Sequence, residues 1–297
     1  MNWSSRTSWG SRVFDIANIL ILCGVAFLTL FPFYYVFAVS FTEPSEYIRK
    51  QGFVLFPEDW SLDSYKYLLS TSTFVRSISV SAFLATVGTA CSLSVTSSLA
   101  YALSRKRFQM RRTIMLLILF TLLFNPGIIP PYLLVRDLGL INSLWSLILP
   151  VLTSGWYVLL MRSFFHSIPD SLEEAARIDG CNDIGVWFRV ILPLSLPSLA
   201  AFGLFFAVNY WNTFFHAILY INDTKKWPLQ VLLRNMIIDS STAVGGDIAA
   251  QMMAEQRIPP QTLKMAAVII GTVPIVVVYP FLQKHFAKGV MLGSVKE

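Results

Sequence analysis

The chain has 297 residues, 55% of them hydrophobic and 13% charged, with a net charge of +6 and a mean hydropathy of +0.60. Soluble domains carry about 25% charged residues, so this composition excludes an ordinary soluble enzyme and points to an all-α polytopic membrane protein. The positive charge reads as topology and contact with membrane lipid. Nucleic acid is not an expected partner, because no bases interleaved with aromatics stand on a soluble fold.

Six segments approach the ~20 apolar residues that cross a bilayer: 16–41, 77–103, 113–135, 143–161, 196–221 and 263–283. The first follows Arg6 and Arg12 as a signal peptide would. It is too long for a signal core of about 7–15 residues, so it reads as a retained span. The second is rich in serine and threonine, including Ser81, Ser92 and Thr96, and such small hydroxyl residues suit a central helix in close contact with others. The third contains Asn125-Pro126-Gly127 and Pro130-Pro131, which predict a broken or kinked helix. Cys23, Cys91 and Cys181 share no metal-binding or disulfide spacing.

Basic residues orient the spans. Arg105, Lys106, Arg107, Arg111 and Arg112 crowd the turn between the second and third, Arg6 and Arg12 precede the first, and Lys284, Lys288 and Lys296 follow the last. The positive-inside rule places both termini and this turn in the cytoplasm. The stretch at 169–193 then also falls inside, while 42–76, 136–142 and 222–262 lie outside. The last of these external loops carries Val244-Gly245-Gly246.

The polar stretch Pro169–Pro193 is out of character with its neighbours. Ser171-x-x-Glu174 reads as a capping box that starts a helix near Leu172, and Gly180 reads as its left-handed stop. Asp183 is placed to cap a second helix, which Pro193 interrupts or ends. Two short helices joined at a glycine are marginal alone, so packing must hold them.

Reactive chemistry is missing. There is no phosphate-binding G-x-x-x-x-G-K-[ST] loop, no histidine pair at metal-binding spacing and no G-x-S-x-G elbow, so no cofactor, no metal and no ATP hydrolysis is expected of this chain. Within the expected spans only His216 and the bordering Lys264 ionise. Ion-coupled carriers usually need more, which disfavours the rival reading of a self-contained secondary transporter or channel.

Glu174-Ala175-Ala176, three residues, Gly180, nine residues and then Val190-Ile191-Leu192-Pro193 resembles the EAA signature of ABC importer permeases, with Val190 where isoleucine is usual. Pro131-Tyr132 through Asn142-Ser143, Leu149-Pro150 and the ending Lys288 to Lys296 are similar to the sugar-importer branch of the maltose-permease second-subunit type. The resemblance is nearest to permeases for oligosaccharides from polysaccharides such as alginate or pectin. It implies a type I importer permease in a bacterial inner membrane. The implied partners are a second homologous permease, two ABC ATPase subunits and an extracytoplasmic solute-binding protein, with an oligosaccharide as substrate. Glu174, Ala175, Ala176 and Gly180, with Arg177 and Asp179 beside them, would form the element coupled to the ATPase. Two readings of Glu174 stay open: contact with that partner, or completion of the capping box. Arg177 and Asp179 could equally be an exposed helix face.

Sugars are held by aromatic faces and by amides or hydroxyls. Asn209, Tyr210, Trp211 and Asn212 in the fifth span, and Asn125 at the kink in the third, are the candidate pathway residues. Packing between helices is the competing account of Trp211, and a purely structural kink that of Asn125. The family commonly has an acid where Thr213 stands, a departure that suits an acidic sugar. Val244, Gly245 and Gly246 would reach the solute-binding protein.

Overall fold

The computed structural model describes residues 9–238 and 258–289. Helix α1 runs Trp9–Ser40, followed by the short helices α2 (Pro44–Arg49) and α3 (Asp63–Ser70). Helix α4 (Ser72–Phe83) passes through a π-helical turn at Leu84–Gly88 into α5 (Thr89–Ser104). Next come α6 (Arg111–Leu123), α7 (Ile129–Asp137) and two 3₁₀ turns at Leu144–Leu147 and Leu149–Val151. Helices α8 (Gly155–His166), α9 (Asp170–Ile178) and α10 (Asp183–Val186) follow, and a second π-helical turn, Trp187–Ile191, leads into α11 (Leu192–Leu194). The remainder is α12 (Leu196–Trp211), α13 (Phe215–Tyr220), α14 (Leu229–Ile238) and α15 (Pro260–Gly289). Among the described residues there is no strand, only one isolated bridge between Thr42 and Trp60.

Among the described residues, Val13–Ser40, Ser72–Ser104 and Pro260–Pro280 are long and apolar enough to span a bilayer, and the count reaches up to five if each of two bent pairs is one span. One pair joins Leu144–Val151 to Gly155–His166 at 54°; the other joins Asp183–Leu194 to Leu196–Trp211 at 85°. Two expected spans depart from this. The fifth, 196–221, ends as a helix at Trp211 and resumes only at Phe215. The third is broken as well. Its first helix has 13 residues, about 20 Å of rise, and the chain then leaves helical geometry at Phe124. Pro126, Pro130 and Pro131 account for the break as anticipated. Pro193, by contrast, lies inside α11, and the sharp bend falls at Ser195, between Pro193 and Pro197.

Contacts divide the chain into two units, residues 1–70 with 236–270 and residues 71–235 with 271–297. In the first, the segment after α1 folds on itself. Tyr34 Oη donates to Leu55 O at 2.8 Å, Tyr65 Oη to Ser40 Oγ at 2.7 Å, and the buried Glu46 carboxylate accepts from Lys50 Nζ and from the backbone N–H groups of Glu58 and Asp59. The expected external loop at 42–76 is thus largely structured.

The second unit has two apolar clusters. One gathers Leu84, Val135, Ile148, Phe206, Tyr210 and Tyr220; the other gathers Ala100, Leu103, Met161, Phe165, Val186 and Ile191. Helix α5 joins them, and its hydroxyl groups split by face. Ser92 Oγ pairs with Tyr210 Oη at 2.8 Å and Thr96 Oγ1 donates to Thr153 Oγ1 at 2.9 Å, whereas Ser94 and Ser98 bond only the preceding turn. At Gly88 the Tyr210 ring presses onto the π-helical turn: a Cβ there would lie 2.7 Å from it. Glycine is what allows that approach.

Candidate functional site

Helix α9 is mounted on the second apolar cluster by an alternating series of charges. Arg105, just past the end of α5, is nearly buried with its ring-facing guanidinium carbon 5.3 Å from the Tyr101 centroid. Its Nη1 lies 3.2 Å from Asp170 Oδ1 and its Nε 2.5 Å from Glu173 Oε1. Glu173, whose side chain is 4% exposed, also takes Arg177 Nη2 at 3.0 Å. Arg177 Nε faces Asp183 Oδ1 at 3.7 Å, and Asp183 closes the series on Arg107. The residues just past α5 are joined this way to α9 and the start of α10, more than 60 residues further along the chain. Buried pairs hold geometry more than they add stability, but removing one partner is costly. A cavity of about 430 Å³ opens beside this mount, lined in part by Tyr101, Arg105, Arg107, Asp183 and Trp187.

The opposite face of α9 is bare. Glu174, Ala175 and Ile178 are exposed, Ile178 by 87% of its surface, while Ala176 packs into the cluster below. Glu174 has no hydrogen bond or ion pair among the described residues. The expected capping box does not form. The helix starts at Asp170 with Pro169 as its N-cap, so Ser171 is already in the first turn and Glu174 in the second. The pull of Arg105 on Asp170 and Glu173 favours this earlier start. Asn182, not Asp183, caps α10, its Oδ1 accepting Gly185 N–H at 2.8 Å, while Asp183 is spent on Arg107. Gly180 behaves as expected. It has φ +87°, its N–H bonds Arg177 O and that of Cys181 bonds Ala176 O, both at 3.0 Å, which is a Schellman ending. Of the flanking candidates, Arg177 turns inward and holds the helix, and Asp179 is exposed.

The pathway candidates separate just as clearly. Tyr210 and Trp211 are core residues. The Tyr210 hydroxyl is held by Ser92, and Trp211 Nε1 donates to Gly271 O at 3.0 Å, so neither ring is open to a solute here. Asn209 and Asn212 are exposed on the same helix end. Asn209 Nδ2 donates to Tyr157 Oη at 3.0 Å, and Asn212 Oδ1 accepts from Gln230 Nε2 at 3.2 Å. Asn125 is exposed at the break in the third span, its Oδ1 accepting Gly127 N–H at 2.9 Å as in an Asx turn. Val244, Gly245 and Gly246 lie outside the described residues.

One residue escaped the sequence reading. Leu229–Ile238, within the stretch expected outside at 222–262, is a helix carrying Arg234, whose guanidinium stands 4.8 Å over the Phe214 ring. A ten-residue apolar run is too short for a span but suits a re-entrant segment, and its single base was the available signal.

A helical membrane protein that offers one polar, rigidly mounted helix outward, and exposed amides at the end of another helix, has the parts of a transport subunit. The chain belongs to the family of binding-protein-dependent transport system inner membrane components, whose pattern it matches over residues 93–292. It is 48% identical over 96% of its length to Protein LplC of Bacillus subtilis (strain 168), covering 95% of that protein. It is 47% identical to the polygalacturonan/rhamnogalacturonan transport system permease protein YtcP of the same organism, over 96% of this chain and 99% of the relative. In structure it resembles a crystallised bacterial ABC transporter involved in import of the acidic polysaccharide alginate. The TM-score is 0.86 at 33% identity, with 96% of this chain and all of that one covered. It is therefore a membrane permease component of a binding-protein-dependent importer, not an enzyme.

Proposed function

We propose that this chain is one half of the translocation pathway of an oligosaccharide importer and receives its driving force through α9. The observation that carries this is the division of α9 into two faces. Asp170, Glu173 and Arg177 fix it to the bundle, and Glu174, Ala175 and Ile178 are left for a partner. A short helix on a rigid mount can pass a rotation into the bundle without a large interface. Two ATPase subunits, a second homologous permease and a solute-binding protein complete the assembly in this reading. Six crossings are read from the apolar segments, and the basic turn between α5 and α6 puts both termini in the cytoplasm. Contact with the binding protein is assigned, from the family resemblance alone, to Val244, Gly245 and Gly246. Asn209 and Asn212 line the solute path, Asn125 borders it, and Tyr210 and Trp211 support it from behind. An oligosaccharide agrees with exposed amides beside aromatic surface, and with the substrates of the relatives.

The test is the complete importer in proteoliposomes holding ATP. Labelled oligogalacturonide should accumulate only with ATP, and cysteine at Glu174→Cys should cross-link to the ATPase. Uptake that ignores the ATPase, with no cross-link, would overturn the reading in favour of a self-contained carrier.

A further inference from the structure

The mount of α9 and the asparagines of α12 make no use of Arg234, the one charged residue of α14. Its depth can be read from its neighbours. Leu229 N–H donates to Ser81 Oγ at 2.8 Å, inside the Ser72–Ser104 span. A Cβ at Gly271 would come within 2.8 Å of Leu233 Cδ1, and Gly271 is central in the 21-residue span Pro260–Pro280. Helix α14 therefore lies at membrane depth, with Leu229 and Leu233 turned to the bundle and Arg234 on its exposed side.

A cation at such depth is costly, and a cation–π contact returns only part of that cost. The Phe214 ring under the guanidinium thus holds and orients the charge without offsetting its cost. Among the described residues no carboxylate pairs with it. One turn back on α14, Gln230 bonds Asn212, which ties Arg234 to the face that also bears Asn209 and the neutral Thr213. Amides for hydroxyls, an aromatic ring and one guanidinium on a single face make a surface with the chemistry of a sugar acid.

We propose that Arg234 is a specificity-determining residue that accepts the carboxylate of a uronate unit as it passes Asn209 and Asn212, so that the solute is an acidic oligosaccharide. A planar guanidinium matches a carboxylate with two parallel hydrogen bonds, which a hydroxyl cannot do. This rests on the importer reading above and adds the sign of the cargo.

The experiment compares ATP-driven uptake of oligogalacturonide and of its fully methyl-esterified form by the complete importer, with wild-type, Arg234→Gln and Arg234→Lys chains. Loss of a charged hydrogen bond predicts that Arg234→Gln lowers uptake of the acid by about tenfold or more and leaves the ester within about twofold. Arg234→Lys should recover much of the acid uptake. Equal loss for both probes, with no recovery by lysine, would show a purely structural role and overturn the proposal. So would an unchanged ratio, or a wild-type importer that moves the ester but not the acid; that last result leaves the importer reading standing. Failure of wild type to move either probe with ATP overturns both.

Discussion

Glu173 and Glu174 are adjacent carboxylates with opposite situations. Glu173 is held between Arg105 and Arg177, and Glu174 points away from every described partner. Glu173→Ala should cost about 3 kcal/mol or more, because among the described residues it leaves the buried Arg105 with Asp170 as its one carboxylate partner. Glu174→Ala removes no contact within the subunit and should stay within about 0.5 kcal/mol. Thermal unfolding of the purified subunit separates the two. In the assembled importer the Glu174 variant should bind the ATPase more weakly despite its normal stability. The motif marks the pair in sequence, but an i to i+3 spacing with Ser171 looks the same whether or not the cap forms. The Arg105 guanidinium, 65 residues before Asp170, decides it.

Glu46, in the segment after α1, allows a pH test. Burial pushes its carboxyl up, while Lys50 and the backbone N–H groups of Asp59 and Glu58 pull it down and prevail, leaving it at about 2 against an ordinary 4.5. The folded chain keeps this carboxylate ionised to lower pH than the unfolded chain does. Its contribution is therefore complete above about 4.5 and is lost as pH falls towards 2. Unfolding midpoints between about pH 5 and pH 3 should drop more steeply for wild type than for Glu46→Gln, with parallel curves contradicting this account.

At the scale of the element, α9 depends on how it ends. Gly180 occupies the left-handed region with open space around it, so a side chain there meets no clash but does meet backbone strain. Gly180→Val should cost roughly 1–3 kcal/mol locally and loosen the turn between α9 and α10. The expected result is an importer that assembles but hydrolyses ATP with little uptake. Wild-type uptake by this variant would remove the glycine from the coupling argument. Helix starts were less legible than helix ends. A glycine stop is a backbone property carried by one residue, whereas the starts of α9 and α10 depended on which side chains Arg105 and Arg107 had claimed. Likewise, the prolines of the third span announce a break, but they do not say that Pro193 can sit inside a turn and leave the bend to Ser195.

At the scale of the whole molecule, the membrane class, the helical fold and the short polar helix at Asp170–Ile178 follow from the chain read linearly. Apolarity, run length, basic turns and a twenty-residue motif are local quantities, and they survive any arrangement of the helices. Facing does not. Asn209, Tyr210, Trp211 and Asn212 are consecutive at the end of one helix, yet Ser92 and Gly271 draw the two aromatics into the core and leave the two amides open. The same holds for α14, a stretch that reads as loop because ten apolar residues cannot cross a bilayer. Only its packing against Ser81 and Gly271 carries it, and Arg234 with it, to membrane depth. Burying a side chain takes a partner from elsewhere in the chain, and that partner exists only once the helices have assembled.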